Sequence, residues 1–172
     1  MNSPASWPDP GLVVVAPGGL AASERQTSLQ RLAALLGLRL LPPGADTVHD
    51  PDGLLAAQAG LQPGWLLPLS CDPGDDLVQP GCWAEILAAW RQPVVLLVAP
   101  GAQARAYRAL LQLAGVPLVG LVQDGGEWCP QERRCDGLPW LGCLTDDPAS
   151  ASSLRAPLLA RWRGLSAARL DP

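Results

Sequence analysis

Residues 93–122 read PVVLLVAPGAQARAYRALLQLAGVPLVGLV, which predicts a strand, a helix and a second strand in succession. The two outer segments are continuous apolar runs, as expected of strands that are buried on both faces. The helical segment between them stops before Gly115, a residue that commonly ends helices in the left-handed conformation. A strand, a helix and a strand in this order form a parallel crossover unit. The stretch therefore predicts a parallel sheet covered by helices.

The same alternation extends in both directions from this unit. Further strands are predicted at 11–16, 39–41, 65–69 and 138–144, and further helices from 23, at 54–59, at 83–91 and at 153–168. Alternating strands and helices predict an α/β fold: a three-layer, mostly parallel, doubly wound sheet of about six strands with flanking helices. Pro68 lacks a backbone donor, so it favours an edge position or a strand end for 65–69. We expect residues 1–10 to be a flexible N-terminal tail and 11–170 to form a single α/β domain.

Composition limits the function. The 172 residues carry a net charge of −4, and all 12 basic residues are arginines. This balance argues against nucleic-acid binding, which needs a concentrated basic face. The apolar runs are too short to cross a bilayer, and the N-terminus lacks the features of a signal peptide, so we expect a cytoplasmic protein. Only 16% of residues are charged, which favours a surface that contacts a protein partner or a second copy.

The first strand, GLVVVA at 11–16, leads into Pro17, Gly18 and Gly19 and then into a helix. A strand, a glycine turn and a helix start is the arrangement in which nucleotide-binding α/β proteins hold phosphate. Ser23 and Gln26 predict a capping box for that helix. The P-loop form of this arrangement requires a lysine directly before a serine or threonine, and the chain contains no lysine.

The second half of the chain resembles dethiobiotin synthetase and its relatives, the ATP-dependent amidoligase branch of the P-loop proteins that also includes the MinD/ParA-like ATPases. The resemblance covers about 65–144. It rests on QPVVLLV at 92–98, YRALL at 107–111, AGVPLVGLVQD at 114–124 and GLPWLG at 137–142. It implies a P-loop-type fold.

The family's catalytic residues do not carry over. Arg25-Gln26-Thr27 stands where the family has Gly-Lys-Thr, so Thr27 would offer a hydroxyl to magnesium and Arg25 a charge. An arginine fork does not replace a compact ammonium in a tight phosphate nest. The magnesium-binding acid after the third strand corresponds to Leu69 or Ser70, and the substrate-binding lysine after the second strand falls at 42–43. We therefore expect neither ATP and magnesium as cofactors nor ATP hydrolysis.

Binding could survive without catalysis. The resemblance places Gln123 and Asp124 where the family reads adenine, and an amide can pair with a purine. The alternative is an ordinary turn, Gln-Asp-Gly-Gly, after a strand. The sequence thus favours a non-hydrolysing, degenerate P-loop-fold protein that acts as a binding or regulatory scaffold module. The alternative is an ATP-dependent ligase in which arginines such as Arg25, Arg105 or Arg108 replace the lysine. The nucleotide-site candidates are these residues: Gly18, Gly19, Arg25, Thr27, Gln123 and Asp124.

The five cysteines suggest neither a disulfide framework nor a metal site. Cys129, Cys135 and Cys143 are too widely spaced for a zinc knuckle, and we expect no metal. Cys71, at the end of a predicted strand, is the best thiol nucleophile candidate. Its acidic neighbours, however, predict a raised pKa and low reactivity.

Overall fold

The computed structural model describes residues 11–17, 21–42, 50–69, 71–78 and 81–170. The strands are β1 (Leu12–Val15), β2 (Arg39–Leu40), β3 (Trp65–Leu69), β4 (Val94–Val98), β5 (Leu118–Asp124) and β6 (Trp140–Leu144). The helices are α1 (Ala22–Leu36), α2 (Pro51–Ala59), α3 (Trp83–Ala89), α4 (Ala104–Ala114), α5 (Pro130–Cys135) and α6 (Pro148–Leu170). Among the described helices, none is long and apolar enough to span a bilayer.

The six strands form one sheet in the order β2-β3-β1-β4-β5-β6, and every neighbouring pair is parallel. The predicted α/β fold with a doubly wound sheet is confirmed. After β1 the chain moves toward β2, whereas after β4 it moves in the opposite direction toward β5. The crevice between these two diverging loops, at the carboxyl ends of β1 and β4, is where open α/β sheets bind ligands.

The core consists of two apolar layers, one on each face of the sheet. On one face, α1 and α6 bury Leu29, Leu32 and Trp162 against alternate strand residues such as Val14 and Val95. On the other face, α2, α3 and α4 cover the intervening strand positions. That second layer contains Leu55, Trp83, Leu87 and Leu111. The sheet is therefore enclosed by helices, which explains why its strands are continuous apolar runs.

Pro68 lies inside the sheet, because β3 has neighbours on both sides. It pairs in register with Val14 of β1. On the other side, β2 contributes only Arg39 and Leu40 to the ladder, opposite Trp65 and Leu66. Of the two positions predicted for Pro68, the edge strand is wrong and the strand end is confirmed. Pro68 is the next-to-last residue of β3, and β2 has ended before it reaches Pro68.

Several predicted helix boundaries were wrong. Helix α1 begins at Ala22 with Ala21 as its N-cap, so the capping box predicted for Ser23 and Gln26 does not form. No helix is predicted between β5 and β6, where the structure has α5, and α6 begins at Pro148, before the predicted start at 153, and continues through Pro157. Helix α1 ends at Leu36, and Gly37 follows it in the left-handed region at φ 71°.

Candidate functional site

The carboxyl edge of the sheet brings α1, the end of β5 and the end of β6 together on one face. Of the predicted site residues, Gly18 and Gly19 lie outside the described residues. Arg25 is half-buried and Thr27 exposed on the first turns of α1, and Gln123 and Asp124 end β5.

The N-terminus of α1 is capped by the carboxylate of Glu24, a residue in the first turn of the same helix. The Ala21 backbone N–H donates to Oε2 of Glu24 at 3.2 Å. A negative charge in the first turn is favourable because the helix dipole and the unpaired N–H groups make that end positive. These are the same features with which a helix N-terminus attracts phosphate. Glu24 therefore takes the place that an incoming anion would need.

Thr27, the residue aligned with the magnesium-binding threonine, uses its hydroxyl within the helix. Its Oγ1 donates to the carbonyl oxygen of Ser23 at 3.0 Å. This bond to the preceding turn is common for threonine inside helices. The proton of this hydroxyl is thus used within α1, and the described residues contain no group of three His, Cys, Asp or Glu side chains that could hold a metal ion.

The structural centre of this edge is a buried pair between α1 and β5. Ser28 Oγ donates to Oδ1 of Asp124 at 2.8 Å, and the two side chains are only 6% and 8% exposed. Burial raises the pKa of Asp124. The hydrogen bond from Ser28 and the charge of Arg31 act in the opposite direction, while Glu24 adds to the rise. The second oxygen, Oδ2, is buried with no hydrogen-bond partner among the described residues.

Two more polar side chains lie at this edge: Cys143 of β6 and Thr145, the residue that follows β6. Cys143 donates through its thiol to the Gly125 carbonyl at 3.5 Å. Burial, and next the negative charge of Asp124, raise the pKa of this thiol, so it stays protonated. Thr145 follows Leu144, the register partner of Asp124, and its hydroxyl is likewise buried without a partner among the described residues. The group suits proton sharing or hydrogen bonding better than nucleophilic attack.

The amide of Gln123 is fully used by the protein itself. Its Nε2 donates to the carbonyl oxygens of Gly125 at 2.8 Å and Glu127 at 3.0 Å. Its Oε1 accepts two bonds from Arg133 of α5, from Nε at 3.0 Å and Nη2 at 2.8 Å. The side chain is 1% exposed, so it fixes the loop after β5 against α5. Reading a purine would require these bonds to be exchanged.

Arg133 joins this loop to a second group around Trp140. Its guanidinium lies 4.7 Å from the centre of the Trp140 ring, and its Nη1 is 3.5 Å from Asp136 Oδ2. Trp140 Nε1 donates to the same carboxylate at 2.7 Å, and Trp128 meets the Trp140 ring edge-on at 6.2 Å. Although desolvation alone would raise it, the pKa of Asp136 is lowered by hydrogen bonds from Leu138, Trp140 and Arg133. The group is a rigid structural support beside the site.

Cys71, after β3, is not an activated nucleophile. Burial raises the pKa of its thiol to about 11, and the negative charges of Asp75 and Asp72 add to that rise. The thiolate is the reactive form, so this thiol is inert near neutral pH. Within the part of the chain that the structure describes, there is no group of three His, Cys, Asp or Glu side chains suited to a metal ion.

The sequence-based reasoning selected Asp124 but missed its partner. Ser28 is separated from Asp124 by 96 positions and belongs to a run of ordinary helix residues. The one signal available was its place on the apolar face of α1, beside Leu29 and Leu32. A serine in such a stripe must find a hydrogen-bond acceptor once buried.

Arg105 and Arg108, the proposed substitutes for the lysine, are engaged elsewhere. Arg105 Nη2 donates to the Asp136 carbonyl at 3.0 Å. Arg108 lines a groove with Gly115 and Pro117, at the opposite edge of the sheet, where β5 and β6 begin. Of the three arginines proposed to replace the lysine, Arg25 alone lies on α1, the helix that follows β1.

Comparisons with known proteins add a distant likeness to solved structures. No protein-family model matches the chain, and no curated protein matches it. Among solved structures, a gluconokinase from Sinorhizobium meliloti 1021 is similar at 18% sequence identity and a TM-score of 0.34, over 93% of this chain and 95% of that one. The description of the fold therefore rests on the strand order and register of the chain itself.

Proposed function

We propose that this protein is a non-hydrolysing binding module built on a degenerate P-loop-type sheet. It acts by holding a protein partner or a second copy of itself rather than by turning over ATP. The observation that carries the proposal is the hydrogen bond between the Ala21 N–H and the Glu24 carboxylate.

Glu24 supports the proposal because a carboxylate at the N-terminus of α1 repels a phosphate from that position. The P-loop lysine would offset such repulsion in an active enzyme, but the chain has no lysine. Thr27 and Gln123 add to this support, since the hydroxyl of one and the amide of the other already bond within the protein. The N-terminus of α1, the Thr27 hydroxyl and the Gln123 amide, which would bind a nucleotide in an active enzyme, thus form hydrogen bonds within this protein.

The low charge of the chain supports binding as the remaining role. Only 16% of the residues are charged, below the share of about 25% that is usual in soluble domains. A surface with few charges favours contact with a protein partner or a second copy.

A test is release of ADP and phosphate from Mg-ATP by purified protein, compared with Arg25→Ala and with Arg31→Ala as the matched control on the same helix. Arg31 forms an exposed ion pair with Asp146 at 2.5 Å and is not one of the arginines proposed to replace the lysine. We expect all three proteins to release product at the rate of buffer alone.

Turnover by the wild type that Arg25→Ala abolishes and Arg31→Ala retains would overturn the proposal. It would favour the alternative in which an arginine has replaced the lysine, and ligase activity would then be tested. Turnover that neither variant changes would indicate a contaminating ATPase, which a further purification step removes.

A further inference from the structure

A groove lies at the edge of the sheet where β4, β5 and β6 begin, opposite the candidate nucleotide edge. It consists of two adjoining cavities of about 480 and about 220 Å³ that share Gly115, Pro117 and Leu165. Its floor is apolar and includes Val116, which is buried, and Leu138, which is half-buried. None of the nucleotide-site candidates lines this groove.

The rim of the groove is basic. Arg108 of α4 and Arg161 of α6 line the larger cavity, and Arg91 lines the smaller one. Among the described residues, no acidic side chain lines either cavity. Three of the 12 arginines of the chain therefore line this groove, although the net charge of the protein is −4. Such a surface is complementary to an acidic, partly apolar ligand.

One local feature indicates that the smaller cavity is more than a gap between helices. Ser166 is 8% exposed, and its hydroxyl is buried with no hydrogen-bond partner among the described residues. A buried hydroxyl normally finds a partner, so an unpaired one is a ready hydrogen-bond group for a ligand. The φ of Arg91, 48°, has a local cause: the N–H groups of Arg91 and Gln92 donate to the carbonyls of Ala88 and Leu87, each at 2.9 Å, which ends α3.

We propose that this groove binds a short acidic segment of a partner protein, with an apolar side chain on the floor and carboxylates on the rim. The open shape suits an extended segment that enters from solvent. Carboxylates pair with the planar forks of Arg108 and Arg161, and a second carboxylate reaches Arg91 and Ser166. The inference rests on the proposed binding function and names the class of partner.

The probe is a short fluorescein-labelled peptide that alternates glutamate with leucine, followed by fluorescence anisotropy. Two comparison peptides replace the leucines with serine or the glutamates with lysine. The variants are Arg108→Glu with Arg161→Glu, and Arg163→Glu as the matched control. Arg163 is exposed on the same helix as Arg161 and carries the same charge, but it lines neither cavity. Circular dichroism and gel filtration check that each variant remains folded.

We expect the glutamate-leucine peptide to bind the wild type and both comparison peptides to bind more weakly. The double variant should lose roughly tenfold or more in affinity, and Arg163→Glu less than about twofold. Equal loss in both variants would reduce the effect to overall charge and overturn the proposal. Absence of binding to the wild type, or a dimer that only the double variant dissociates, would also overturn it, the latter in favour of a second copy. A nucleotide titration on the same preparations reports separately on the proposed function.

Discussion

Replacing Ser28 by alanine tests the buried pair that holds α1 against β5. The substitution removes the hydroxyl that donates to Asp124 Oδ1 at 2.8 Å and leaves both oxygens of a buried carboxylate unpaired. A hydrogen bond to a charged group contributes about 1.5–3 kcal/mol. With both side chains less than a tenth exposed, water cannot readily take the place of the hydroxyl. For a chain of this size, the loss lowers Tm by roughly 3–12 °C.

Urea unfolding followed by circular dichroism at neutral pH measures the change, with Thr27→Ala as the control. Thr27 is the adjacent hydroxyl on α1, exposed and bonded only within its own helix, so its loss should change the free energy of unfolding by less than about 0.5 kcal/mol. Repeating Ser28→Ala in an Asp124→Ala background should remove most of its cost. A cost equal to that of Thr27→Ala, or one that persists without Asp124, would refute the reasoning.

Three further predictions concern the surroundings of this pair. Asp124→Asn should raise the free energy of unfolding at neutral pH. The pKa of Asp124 in the folded protein lies above its ordinary value of 3.8, so the folded protein binds this proton more tightly than the unfolded chain does. The stability of the wild type therefore falls as pH rises from about 3.8 through the folded pKa, and an uncharged amide avoids that loss. Urea unfolding of both proteins at neutral pH and near pH 4 should show the advantage shrinking in acid, and a constant advantage would contradict this. Glu24→Ala removes the carboxylate at the α1 N-terminus and should cost about 0.5–1 kcal/mol by the same measurement, with added salt reducing the cost; no salt dependence would exclude the dipole argument. Arg133→Lys leaves Gln123 Oε1 without its two-pronged donor, so we expect a loss of about 1–3 kcal/mol in urea and a changed Trp emission spectrum, whereas full stability would show that a single ammonium suffices.

The sheet was predictable because each strand is a continuous apolar run between turn residues. The unit at 93–122 gave β4, α4 and β5 nearly at their observed bounds, and Gly115 ends α4 in the left-handed conformation as expected. These signals are local in sequence, and burial on both faces of a parallel strand leaves them little ambiguity.

Elements with weak local signals were missed. Helix α5, with the sequence PQERRC, is a single short segment with no buried residue, so it has no apolar stripe to detect. The start of α1 was misplaced because Ser23 is a better capping residue than Ala21 by type alone. The structure instead begins the helix earlier, with Glu24 as the group that bonds the first N–H.

The site was predictable only in part. The absence of lysine is visible in the sequence, and it led to the expectation of lost catalysis. The pairing of Ser28 with Asp124 and the groove lined by Arg91, Arg108 and Arg161 join residues far apart along the chain. Their proximity depends on strand order, which sequence periodicity does not determine.

Calorimetric titration with ATP and ADP, with and without magnesium, tests most directly whether a nucleotide binds at the N-terminus of α1. We predict no detectable heat of binding at millimolar nucleotide, because Glu24 accepts from the Ala21 N–H at that end and Gln123 is bonded to Arg133. Micromolar, magnesium-dependent binding would contradict this prediction.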